Sequence, residues 1–162
     1  MWIRTASKDD INAIHDLLIE TWHAKFDDLV EREEVDRQLA RQFMPDMLKK
    51  NLSRPASECV VADDGEILHG AAYAAQGAIK GDSEIAVIFY LCVKPESQSK
   101  GVGQRLLIEL EEAFPSARKI RINVNNKDLR MQEFFVEQGY KKLGKSGERT
   151  ATDDVVFEKT LF

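Results

Sequence analysis

The stretch Gln98-Ser99-Lys100-Gly101-Val102-Gly103 is where this chain most clearly carries groups that could do chemistry. It separates an apolar run, Ile85–Val93, from a helical pattern that begins near Val102. The first turn of a helix leaves backbone N–H groups without acceptors. With the helix dipole they form an anion site, and phosphate is the usual occupant. Glycines at 101 and 103 remove the Cβ atoms that would hold a pyrophosphate away, and Lys100 and Arg105 bring positive charge to the rim. The competing reading is that the two glycines only shape a tight turn, and on this stretch alone the two stand level. Two phosphate loops are excluded. There is no G-x-x-x-x-G-K-[ST], and the dinucleotide pattern G-x-G-x-x-G fails because Leu106 stands three residues after Gly103.

Other reactive residue types point less far. Cys59 and Cys92 lie in separate apolar runs, as buried thiols in a reducing compartment would. Neither has metal-ligand spacing to His15, His23 or His69, so no metal is expected. The formal net charge of −5 argues against binding along a nucleic-acid backbone and is compatible with a cationic small-molecule or peptide partner. The opening MWIRTASKDD lacks the pattern of a signal peptide, and Ile85–Val93 is too short to span a bilayer. The expectation is a cytoplasmic protein with no membrane partner.

The elements that must position the loop follow from periodicity. Residues 2–6 predict a strand. Ser7 and Asp10 form a variant capping box, and Ile11, Ile14, Leu18 and Trp22 share one face of the helix that follows. A charged helical stretch spans Glu31–Gln42, Pro45 interrupts it, and Asp46–Leu52 adds a short helix. Ser57–Asp63 and Glu66–Gln76 read as a hairpin around a turn at Asp63–Gly65. Ile85–Val93 is apolar on both alternating faces, which predicts a central strand covered from both sides. A helix over Val102–Phe114 stops at Pro115; a strand at Lys119–Val124, a helix at Asp128–Gln138 capped by Gly139, and two closing strands complete the chain. The 162 residues carry no repeat or linker and predict one domain, 1–162. Its class is α/β (α+β by strict definition), a mixed, mostly antiparallel sheet of about seven strands with about four helices on both faces.

On these residues the chain resembles the GNAT acetyltransferase superfamily. YLCVKPESQSKGVGQRLL is similar to the family's central motif, a strand ending in V-x-P-E followed by Q/R-x-x-G-x-G/A and an amphipathic helix; Gln98, Gly101 and Gly103 fill its defined slots. A second, looser motif runs from Val124-Asn125 through Asp128, Met131 and Phe135 to Gly139-Tyr140, where the family more often has Asn, Ala and Tyr at 128, 131 and 135. IRTASKDDINAIHDLLIETW is similar to the family's usual first strand and helix.

The resemblance implies acetyl-CoA as co-substrate and an amine as acceptor, and leaves a homodimer open. It implies that the main chain of Leu91, Cys92 and Val93 pairs with the pantetheine arm. Gln98, Ser99, Lys100, Gly101, Val102, Gly103 and Gln104 would hold the pyrophosphate, with Asp128 and Phe135 also at the cofactor. Some relatives carry a general-base Glu eleven residues before the loop's Gln; here that slot is Val87. Glu84, Tyr90 and Asn123 are the weak catalytic candidates, and His23 and Phe26 the candidates for an acceptor wall. Three readings remain: an N-acetyltransferase acting on a primary amine of a small molecule or peptide, a protein N-terminal or lysine acetyltransferase, and an acyl-CoA-binding module without chemistry. The last is kept alive by Val87 and Phe135.

Overall fold

A computed structural model describes residues 1–145 and 154–162. The chain runs β1 (Trp2–Thr5), α1 (Ile11–Phe26), α2 (Arg32–Gln42), α3 (Pro45–Leu52), β2 (Ser57–Asp63), β3 (Leu68–Gln76), β4 (Ile85–Val93), α4 (Val102–Glu112), β5 (Lys119–Asn125), α5 (Leu129–Glu137), β6 (Lys141–Lys145) and β7 (Asp154–Thr160). The seven strands form one sheet in the order β1-β2-β3-β4-β5-β7-β6. Among the described residues only β4 and β5 pair in parallel, and the other neighbours are antiparallel. The mixed sheet with helices on both faces is the expected class, and the short α3 brings the α-helices among the described residues to five.

Two apolar layers hold the helices to the sheet. On one face α1–α3 bury Ile14, Leu18, Val35, Leu39, Phe43 and Leu48 against Val61, Tyr73, Tyr90 and Cys92. On the other, Leu106, Leu107 and Leu110 of α4 and Phe135 of α5 pack on Ile120, Ile122, Val124 and Phe157. The middle strand β3 meets helices on both sides, and its sequence is built for that. Ala71, Ala72, Ala74 and Ala75 are fully buried. A Cβ on Gly70 would stand 2.8 Å from Leu106, so glycine is what lets α4 lie this close.

The helix boundaries have local causes. Asp10 accepts from the Ser7 amide at 2.8 Å and takes both arms of Arg4 at 2.8 Å each, closing the turn ahead of α1. The Arg4 guanidinium holds the Asp10 carboxyl below its ordinary range. Pro45 starts α3, where a missing N–H costs nothing.

β4 departs from the simple alternation expected of it. Tyr73 of β3 lies opposite Tyr90, yet the next pair is Ala74 with Ile88, so Phe89 is an extra residue in a β-bulge. The bulge shifts the side-chain pattern by one. Ile88 and Leu91 face α4, Tyr90 and Cys92 face α1, and Phe89 is 44% exposed rather than covered.

Candidate active site

Beyond the bulge the sheet opens. β4 pairs with β5 only from Ile85–Lys119 to Ile88–Ile122. β4 nevertheless continues to Val93 and β5 to Asn125, so the two strands part at their C-terminal ends. In an open sheet this end, where a parallel neighbour turns away, is where ligands bind. On its other edge β4 stays paired with β3 as far as Val93. The Lys94 amide donates to His69 on β3 at 2.8 Å. Main-chain polar groups alternate sides along an antiparallel strand, so those of Val93 and Leu91 face the opening. Cys92 turns its main chain to β3 instead, and its thiol, pushed up to about 12 by burial, lies in the α1-side core. The expected role of Cys92 in pairing with a ligand is therefore not what this register offers.

The glycine loop closes one end of the opening. Gln98 donates from its side-chain amide to the Val93 carbonyl at 3.1 Å, tying the loop to the strand. Ser99 and Gly101 both adopt left-handed backbone, φ 64° and 82°. Gly101 is the N-cap of α4, and no side chain caps that helix. The first-turn amides of Val102, Gly103 and Gln104 thus lack intrahelical acceptors and a side-chain cap. Lys100 and Arg130 are exposed in and beside the loop, Arg130 donating to the Ser99 hydroxyl at 3.4 Å, while the exposed Arg105 donates to the Met1 carbonyl at 3.5 Å.

The two glycines have different reasons to be there. Gly101 is required by its conformation. Gly103 is not: it sits in helical backbone, and a Cβ there would find Phe134 at 3.5 Å and Val93 at 3.6 Å, ordinary contact distances. Alanine would fit, and it favours a helix by about 1 kcal/mol over glycine. The protein itself gains nothing from the missing methyl. It would point between Val93 of β4 and Phe134 of α5.

Several expected site residues are engaged in the protein's own contacts. Glu84 precedes β4; seven residues at roughly 3.3 Å each separate it from Leu91 by about 23 Å. It pairs with Arg118 at 3.5 Å. Tyr90 points to β2, its hydroxyl 3.5 Å from Cys59 Sγ, and burial raises both groups well above their ordinary ranges. Phe135 is fully buried among Phe134, Tyr140 and Phe157 and presents no surface to a ligand. Its neighbour Phe134, half-buried, is the ring that faces Gly103. Phe26 is core, packed edge-on against Trp22. His23 is clamped between Asp27 at 2.6 Å and Asp36 at 2.8 Å, joining α1 to α2. Asp128 caps α5 through the Met131 amide at 3.2 Å and pairs with Lys25 of α1 at 2.8 Å. Of the three catalytic candidates only Asn123 is at the opening, exposed one residue past the last β4–β5 pair.

Sequence reasoning missed Phe134, Arg130, Lys25 and the exposed Phe89. Arg130 and Lys25 carried no local signal, because their positions depend on how α5 and α1 dock. Phe134 could have been found: it lies one helical position from Phe135, and a helix that buries one of two adjacent rings turns the other aside.

Among the described residues no group of three or more His, Cys, Asp or Glu is placed to hold a metal ion, and no helix is long and apolar enough to cross a membrane. No curated protein sequence matches the chain. Solved structures do. The PaiA N-acetyltransferase of Thermoplasma acidophilum, in complex with coenzyme A, superposes with a TM-score of 0.87 at 20% identity over 98% of each chain. A GNAT-family acetyltransferase of Staphylococcus aureus Mu50 gives 0.76 at 11% identity over 99% of each. The protein yncA of Salmonella typhimurium, with its cofactor acetyl-CoA, gives 0.70 at 17% identity over 100% of this chain and 94% of its own. These likenesses establish the fold. Residues 26–161 match the model of the acetyltransferase (GNAT) domain, and the chain belongs to the GNAT acetyltransferase family.

Proposed function

We propose that the protein is an acetyl-CoA-dependent N-acetyltransferase, acting as a single catalytic domain, that passes an acetyl group to a primary amine by direct attack. The observation that carries this is Gly103: a helix position where alanine would fit and stabilise, held as glycine beside uncapped amides at the mouth of parted strands. That arrangement fits the anionic pyrophosphate and extended arm of coenzyme A. The first-turn amides of α4, with Lys100, Arg105 and Arg130 at the rim, would take the pyrophosphate. Leu91 and Val93 would offer main-chain groups to the arm, and Phe134 would line its path. Bound acetyl-CoA supplies a thioester acyl group and a thiolate leaving group.

The chain's own contribution is mostly positional. Holding two reactants in attack geometry lowers a barrier by several kcal/mol. The Val93 amide, turned into the opening, can polarise the acyl carbonyl. No side-chain base is assigned: Glu84 is at the far end of β4, Tyr90 is sealed in the core, and Asn123 carries a neutral amide that can orient an amine but not remove its proton. Water takes that proton. A thiol ionises near pH 8.5, so the departing thiolate needs little help, which suits a site where a buried Phe135 stands in place of a hydroxyl-bearing ring. The two buried, free thiols support a reducing, cytoplasmic setting.

Thermal unfolding with ligands tests the binding half. Acetyl-CoA should raise the midpoint, and keep raising it with the logarithm of its concentration above the dissociation constant, and NAD and ATP should not. Equal stabilisation by ATP would mean that the loop reads phosphate alone.

A further inference from the structure

Resting on the acetyl-CoA reading, we infer that Asp128 is the recognition carboxylate for the acceptor's ammonium group, and that Lys25 occupies this position until an acceptor arrives. α1 packs over β3 and β4, whereas Asp128 follows β5 at the start of α5. The Lys25–Asp128 ion pair therefore spans the parting strands on the α1 face, opposite the α4–α5 side assigned to the arm. A second ion pair, Glu20 with Lys94 at 2.8 Å, fastens α1 to the segment just after β4. An acceptor must reach the acyl group from the face that the arm does not fill, and Lys25 is what stands there.

The pair is unequal. Asp128 is only 8% exposed, and one oxygen is fixed by the Met131 amide, so the other is aimed and cannot swing away. Lys25 is 30% exposed, on a flexible four-carbon stem near the end of α1. A fixed acid that already holds a primary ammonium at 2.8 Å is shaped for a primary ammonium. Exchanging Lys25 for the ammonium of an acceptor keeps the acid paired, whereas a neutral or hydroxyl acceptor would leave a buried carboxylate without its counter-charge. The acceptor class is thus a primary alkylammonium, and Lys25 is its built-in competitor.

The test is calorimetric binding of n-butylammonium, with n-pentanol as neutral control, to full-length protein saturated with CoA. Lys25→Met should bind n-butylammonium several-fold more tightly than wild type. Asp128→Asn keeps the helix cap and should bind at least about tenfold more weakly, the scale for losing one charged hydrogen bond. Lys25→Arg, which holds a carboxylate with two parallel bonds, should bind more weakly than wild type and serves if Lys25→Met does not fold. Pentanol should not bind to any of them. If n-butylammonium affinity is the same in wild type, Lys25→Arg and Asp128→Asn, the ion pair is structural only and the inference is wrong. CoA titrated into each protein beforehand separates the two levels: no CoA binding to wild type removes the cofactor reading itself, while normal CoA binding with flat ammonium affinities removes only this assignment.

Discussion

Replacing Gly103 with alanine should move stability and cofactor binding in opposite directions. The new methyl would meet Phe134 at 3.5 Å and Val93 at 3.6 Å, so neither neighbour has to shift. Alanine in place of glycine stabilises a helix interior by about 1 kcal/mol, an upper bound for the first turn of α4. In a chain of this size that corresponds to a rise of at most roughly 2–4 °C in the unfolding midpoint. The same methyl stands between α4 and α5, where the first-turn amides would meet a pyrophosphate. Pushing the ligand back by about one methyl radius stretches at least one charge-assisted hydrogen bond, each worth about 1.5–3 kcal/mol. The dissociation constant for acetyl-CoA should therefore rise by at least tenfold. Differential scanning calorimetry of the free protein and isothermal titration with acetyl-CoA read the two effects separately. Gly103→Val extends the series, because its branches must press on Phe134 or Val93. A Gly103→Ala protein that is less stable than wild type, or that binds acetyl-CoA equally well, would refute the claim that this position is kept empty for a ligand.

Other perturbations have equally definite outcomes. Glu84→Gln should leave turnover almost unchanged, since the residue lies about 23 Å along the strand from Leu91; a thousandfold loss with cofactor still bound would overturn that. Phe135→Tyr should cost about 1–3 kcal/mol of stability, because it adds a hydroxyl without a partner to a fully buried ring, and steady-state assays should show no gain in turnover. Phe135→Ala should cost about 3–5 kcal/mol in denaturant melts by leaving a cavity. His23 should impart a pH dependence to stability. Its ring N–H groups donate to Asp27, the larger influence, and to Asp36, and together these carboxylates raise its pKa above the ordinary 6.5 against the opposing effect of burial. A raised pKa in the folded state gives stability that is fully present below 6.5 and is lost as pH rises through the folded value. Melts of wild type against His23→Gln from pH 5.5 to 8.5 should converge toward high pH; parallel curves would show that the clamp carries no charge.

The frame of this protein was legible because its signals are local. The capping residues at Ser7 and Asp10, the proline at 115 and the glycine at 139 each act within a few residues, and the elements fell where periodicity put them. The glycine loop was legible for the same reason. The bulge at Phe89 was not. Ile85–Val93 is apolar on both alternating faces, so inserting one residue into the register leaves no trace in the pattern. That slip decides which main-chain groups face the opening, and it removed Cys92 from the set expected to meet the cofactor. Glu84, a catalytic candidate only as the carboxylate nearest the vacant Val87 slot, stands at the start of β4 as its place in the sequence implies, and the strand carries it away from Leu91 at about 3.3 Å per residue. Phe26, Tyr90 and Phe135 were aromatic candidates that the core absorbed. Lys25 and Asp128 lie about a hundred residues apart, and only the docking of α1 over the parting strands brings them together.

Acetyl transfer itself is the most direct test of the central claim. Protein incubated with acetyl-CoA carrying a 13C-labelled acetyl group and a panel of primary amines and short peptides can be followed by NMR. The account predicts that the thioester carbonyl signal is replaced by an amide signal, with one free CoA thiol released for each amide formed, and that Gly103→Val abolishes both at wild-type substrate concentrations. Tight acetyl-CoA binding without any amide product across the panel would contradict it, and would mark the chain as a binding module whose Val87 and Phe135 register lost chemistry.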